Sequence, residues 1–212
     1  MINELYHYGV KGMKWGVRRY QNKDGTLTNE ALKRKQGLSG NDIPAGATMF
    51  RAVSNGSKNF MNRDYAYVNV TDKYYEHSYA TSSGFEGRFD TDFKLKATRP
   101  LKIASTDDYF YAVMKANHIN PKKYLKEVPK DVKEKGKYAV LELLPHNLVE
   151  GDGGQNKVFN NAVKYLKKKG YDGVIDPIDG ATDERDGENM RATVVFDPGK
   201  SMEIVNEYHD RW

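Results

Sequence analysis

The sequence predicts an α+β domain behind a basic N-terminal arm. Three observations lead there. Short β-branched and aromatic runs outnumber helical runs by about two to one, counted by periodicity. No strand–helix alternation repeats, and no GxxxxGK or GxGxxG stands between a strand and a helix, which argues against a doubly wound parallel sheet. Near the C-terminal end, two strand-like runs flank an acidic loop. They are Gly173-Val174-Ile175 and Ala192-Thr193-Val194-Val195-Phe196, and the loop holds Asp176, Asp179, Asp183, Glu184, Asp186 and Glu188. Strands give rigidity and loops give reach, so this unit is a natural place for chemistry.

Taken in order, residues 1–44 read as arm and linker, and residues 45–212 as the domain. Residues 1–20 carry Tyr6, Tyr8, Trp15 and Tyr20 among glycines 9, 12 and 16. The glycines oppose a long helix, and the aromatics oppose an inert tail. Such a peptide suits docking through Tyr8, Trp15, Arg18 and Arg19. Packing on its own domain and contact with nucleic acid are the alternatives. Lys23-Asp24-Gly25 is a turn signal, Thr28–Lys33 a capped helical turn, and 37–42 loop chemistry.

The domain opens with a strand at Thr48–Val53 and a Ser54-Asn55-Gly56 turn. Tyr65–Thr71 alternates as a strand, and Asp72–Ala80 can run as a short helix behind a Thr71-Asp72 cap. Phe89–Ala97 alternates again, and Pro100–Ala104 follows as a short strand. Thr106 is placed to cap a helix to about His118, and Asn120-Pro121 opens another that Pro129 interrupts. Tyr138–Leu144 reads as a strand. Asn156 should cap a helix to Lys169, with Phe159, Ala162, Val163 and Leu166 on one face and Gly170 as its stop. The acidic-loop unit comes next, and Ser201–Val205 is the last strand.

Charge sharpens the division. The chain has 212 residues and a formal charge of +5, and residues 1–37 alone carry eight basic against three acidic residues. The remainder is neutral, so the basic character belongs to the arm. Hydrophobic content is 38% and charged content 30%. No apolar run approaches the ~18 residues of a membrane span, and no apolar signal region opens the chain, so membrane insertion is not expected. There are no cysteines, which removes disulfides and thiolate chemistry. The histidines at 7, 77, 118, 146 and 209 lack ligand spacing, so no metal site is expected. No Gly-x-Ser-x-Gly elbow supports a hydrolase.

Two resemblances add to this reading. HYGVKGMKWGVRRYQNKDGTLT resembles a short module of phage and prophage proteins of Gram-positive bacteria. It implies a phage setting, in the host bacterial cytoplasm or the virion, and a host protein or phage head protein as partner. The element order over about residues 46–206 resembles the ADP-ribosyltransferase fold of phage and polymorphic-toxin proteins. The residues that carry it are Phe50-Arg51, Asn69-Val70-Thr71 before Tyr79-Ala80, Gly170-Tyr171-Asp172-Gly173-Val174, and Val194-Val195-Phe196-Asp197-Pro198. It implies a split, mostly antiparallel two-sheet core with NAD, the substrate, in the cleft between the sheets.

On that resemblance, Arg51 holds the phosphate or ribose side of NAD. A planar, permanently charged fork suits phosphate. Its alternative is a surface arginine on an edge strand, and no acidic residue between Asp42 and Asp64 offers it a local partner. Asn69 and Thr71 match the Ser-x-Ser/Thr strand end, with Asn69 in place of serine. Tyr79 stacks near the nicotinamide or packs in the core. The family places its catalytic glutamate just before the Val-Val-Phe-Asp-Pro strand, where this chain has Ala192 and Thr193, and Glu188 is the nearest acid. The resemblance thus implies a phage-encoded NAD-dependent ADP-ribosyltransferase acting on a host macromolecule. The alternative is a non-catalytic structural or defence-blocking binder on the same fold.

Overall fold

The structure is a computed structural model that describes residues 20–22, 24–72, 90–134, 140, 157–175 and 191–209. Arm residues Tyr8, Trp15, Arg18 and Arg19 lie outside the described residues. So do Tyr79 with most of its expected helix, the Asn156 cap, and the acidic loop with Glu188.

Seven strands and six α-helices are described, so the class is α+β. The strands are β1 Thr48–Val53, β2 Tyr65–Val70, β3 Thr91–Ala97, β4 Ile103–Ala104, β5 Gly173–Ile175, β6 Arg191–Phe196 and β7 Met202–His209. The helices are α1 Asn29–Lys35, α2 Thr106–Ala116, α3 Pro121–Glu127, α4 Lys130–Glu134, α5 Lys157–Lys168 and the single turn α6 Pro198–Ser201. A 3-10 turn, Asn59–Asn62, joins β1 to β2.

The strands bond in the order β4-β5-β6-β2-β1-β3-β7. All neighbours are antiparallel except β4 and β5. The described strands therefore form one sheet, where the family resemblance implies two. The physical reason is local: β1 and β2 stay bonded through Met49↔Val70 and Phe50↔Asn69. The two strands that flank the acidic loop pair antiparallel, with Gly173↔Val195 through Ile175↔Thr193.

Each face of the sheet buries its own apolar set. On one, α2 and α5 cover Ala104, Val174, Val194 and Phe196 with Phe110, Val113, Phe159, Ala162, Val163 and Leu166. On the other, Met49, Val53, Ala66, Val68, Phe93, Leu95 and Val195 pack with Phe60 and Ile43. This alternation is what period-two patterning dictates for a sheet covered on both sides.

Local chemistry explains most boundaries. Ser105, one residue earlier than expected, caps α2. Its Oγ accepts from the Asp108 N–H at 3.1 Å, and its own N–H donates to the Asp108 carboxylate at 3.0 Å. Asp108, three residues on, completes a capping box that Thr106 cannot form. Asn120 caps α3 as expected, accepting from the N–H groups of Lys122 and Lys123. Gly170 ends α5 at φ +81°, the left-handed conformation glycine tolerates best. The final strand runs to His209, well past the Val205 expected from its apolar run, because ladder pairing with β3 continues it. Of the strand expected over 138–144, the described residue Val140 is helical, and it is buried against α2 and α5.

The stretch 24–44 reads as a linker by its turn chemistry, yet it is tied to the sheet. Thr28 caps α1 through Ala31 N–H. The Gln36 side chain exchanges two hydrogen bonds with Ala45. Ile43 pairs with Leu101 and is buried at 3% exposure.

β5 is held from both sides. Asp172 N–H donates to Lys102 O and Asp172 O accepts from Phe196 N–H. Burial opposes ionisation of the Asp172 side chain, but bonds from Arg99 Nη2 (2.6 Å) and Lys102 N–H (2.9 Å) hold its carboxyl below the usual range. Gly173 follows where a Cβ would come within 2.5 Å of Val194 O and 2.9 Å of Ile103 Cδ1.

Gly173→Ala should therefore lower unfolding free energy by about 1–3 kcal/mol through overpacking, measured by urea titration. Asp172 supplies stability that is full above its unfolded value of about 3.9 and is lost as pH falls through its lower folded value. Asp172→Asn should flatten that acid limb of the stability curve, measured by urea titration at stepped pH.

Candidate functional site

The candidate site lies at a seam in the sheet. All of β1 pairs with β3, and all of β2 pairs with β6. Between themselves β1 and β2 share two residue pairs only, Met49↔Val70 and Phe50↔Asn69. Past Phe50 the ladder stops, and Arg51 takes over. Its Nη1 donates to the Tyr67 carbonyl of β2 at 2.6 Å.

Arg51 sits between Met49 and Val53, which point into the core that holds Phe60 and Phe93. Alternation sends its side chain to the same face. The guanidinium lies 5.0 Å from the Phe60 ring centroid, a cation–π distance. Its Nε is buried with no hydrogen-bond partner. No carboxylate among the described residues pairs with it. Burial pushes the group down to about 10, with repulsion from Arg63 adding to the effect. Arg63 follows the 3-10 turn, and its N–H donates to Phe60 O. The edge-strand alternative for Arg51 is corrected, because β1 lies between β2 and β3.

A desolvated cation without a counter-charge is costly. A bound anion would return bonds to Nε and offset the repulsion from Arg63. The planar fork favours a phosphate-like partner.

Asn69 stands opposite Phe50 in the ladder. Directly paired residues share a face, so Asn69 leaves the seam on the opposite face from Arg51. The structure thus brings these two to one seam and not to one surface. Thr71 follows β2 directly. Across from Asn69 on the other neighbour stands Ala192, and across from Val70 stands Arg191. No carboxylate is therefore supplied by the β6 positions that pair with the end of β2.

Two residues matter at the seam that the sequence does not assign to it, Asn29 and Asp72. The Asp72 carboxylate accepts the Asn29 N–H at 2.7 and 3.0 Å. Half burial pushes its carboxyl up, against bonds from Asn29 and Asn22. They are 43 positions apart, and no local signal connects them. Among the described residues, no group of three or more His, Asp or Glu could hold a metal ion, and no helix is long and apolar enough to cross a membrane.

Inorganic pyrophosphate should raise the melting temperature of the wild-type protein and leave that of Arg51→Met unchanged. Saturation at a hundredfold excess over Kd corresponds to about 2.7 kcal/mol, measured by differential scanning fluorimetry. Arg51→Met keeps the apolar stem, so its own stability should stay close to wild type.

The model of a family of unknown function, DUF7211, matches residues 1–22. The match covers the arm and not the sheet. No curated protein and no solved structure matches the chain.

Proposed function

We propose that the chain is an NAD-dependent ADP-ribosyltransferase of phage origin that modifies a host macromolecule. One observation carries this reading: Arg51, a largely buried arginine with no carboxylate partner among the described residues, sits where the β1–β2 ladder ends. That is the position the family resemblance gives to the arginine that holds a phosphate of NAD. The neighbouring order β6-β2-β1 adds support, because it sets the three motif-bearing strands side by side.

In the proposed reaction the bond between ribose C1′ and the nicotinamide nitrogen breaks, and nicotinamide leaves with the electron pair. The acceptor's nucleophile bonds to C1′ and gives up its proton. Arg51 anchors the phosphate. Asn69 and Thr71 offer hydrogen bonds near the ribose, and Tyr79 a stacking surface. Glu188 places negative charge by the ribose 2′-hydroxyl as oxocarbenium character develops. The arm, through Tyr8, Trp15, Arg18 and Arg19, docks the enzyme on a phage head or host protein.

Two observations favour a second reading, a non-catalytic binder. Asn69 leaves the seam on the other face from Arg51, and Ala192 stands across from Asn69 where the family would present an acid. Labelled NAD and host lysate separate the two. On the first reading, wild type transfers label, and Glu188→Gln loses about 10²–10³-fold in rate, as when one charge-stabilising group is removed, with NAD affinity retained. Arg51→Lys should raise KM more than it lowers kcat. If wild type neither transfers label nor releases nicotinamide, the enzymatic reading fails and pull-down through the arm tests the binder.

A further inference from the structure

The seam has a second fastener, and it comes from the N-terminal stretch. Thr28 Oγ accepts the Ala31 N–H at 3.2 Å and starts α1. Asn29, the first helical residue, has no intrahelical partner for its own N–H. That N–H goes to the Asp72 carboxylate, just beyond β2. The Asn29 side chain turns the other way. Its amide donates to Thr48 O at 2.9 Å, and its carbonyl accepts Thr48 N–H at 2.7 Å.

Thr48 is the first residue of β1, and the β1–β2 pairing begins one step on, at Met49↔Val70. One residue therefore holds β1 through its side chain and the end of β2 through its backbone, beside the pairs that close the seam. Arg51 and Tyr67 hold the opposite end. The two ladder pairs lie between these two fasteners.

We propose that Asn29 is a positioning residue that sets how β7-β3-β1 meets β2-β6-β5-β4, and through that junction sets where Arg51 and Asn69 stand. Its relevance to NAD rests on the proposed function; its action on the seam does not. The bonds to Thr48 belong to the side chain and the bond to Asp72 to the backbone, so the two arms of the clip can be cut separately.

Amide hydrogen exchange on the full chain tests this with Asn29→Ala and Asp72→Asn. The clip predicts at least about tenfold faster exchange in Asn29→Ala at the seam amides, those among Met49, Phe50, Asn69 and Val70 whose N–H bonds across to the other strand, with Val174 and Val194 changed far less. This is local opening as distinct from global unfolding. Asp72→Asn should give a smaller rise at the same seam amides. The affinity for inorganic pyrophosphate should fall in Asn29→Ala although Arg51 is intact. A uniform rise that follows global stability, or no rise at the seam, overturns the proposal. Selective seam opening in a protein that fails to use NAD keeps the clip and sinks the enzymatic reading instead. Asp72→Asn, which conserves shape, provides the test if Asn29→Ala does not fold.

Discussion

Two residue pairs between β1 and β2 make one sheet of seven strands. Everything else near the candidate site depends on how that narrow junction is held. The ladder contributes little on its own, since a net hydrogen bond is worth about 0.5–1.5 kcal/mol. The apolar layer contributes more. Met49, Phe93 and Leu95 on one side of the junction pack in the same core as Ala66, Val68 and Val195 on the other. Full burial of each large side chain is worth about 1.5–3 kcal/mol. The opposite layer, with α2 and α5, belongs chiefly to β4, β5 and β6. One half is thus braced by helices, and the other reaches it through a shared core and a few polar bonds.

Arg51 sits at the weak point of this arrangement. A hydrocarbon side chain there would pack against Phe60 and Phe93 with no desolvation cost. The arginine instead bonds one strand carbonyl and leaves Nε buried without a partner. As a mere fastener it is a poor solution, because the charge adds cost without adding a second bond to the strands. A ligand-binding role would supply it with an anion from outside, since no carboxylate among the described residues pairs with it. Arg63 works in the same direction by raising the local positive potential.

Much of the fold was legible because its signals are local. A strand-like run marked β1, alternation marked β2 and β3, Asn120-Pro121 marked the start of α3, and Gly170 marked the end of α5. Arg51 was legible as a candidate for a different reason: no acid lies near it in sequence, and none among the described residues meets it in space. What was not legible is long-range. The extent of β7 depends on β3, not on its own apolar run. Val140 is helical and buried beside α2 and α5, inside a run that reads as a strand from its residue types. The single sheet depends on two pairs that no periodicity encodes. Asp72 read as a helix cap, while in the fold its carboxylate receives the backbone of Asn29.

The packing of residues 24–44 changes where this protein can be divided. Composition suggests a cut near Ile43-Pro44, leaving a detachable arm. A fragment beginning there would lose α1, the bonds from Asn29 to Thr48 and Asp72, and the Ile43–Leu101 pairing. A cut that keeps the described bonds intact lies before the Tyr20–Leu27 turn, whose backbone bonds already lead into α1. Modularity here follows the hydrogen bonds and not the change in charge.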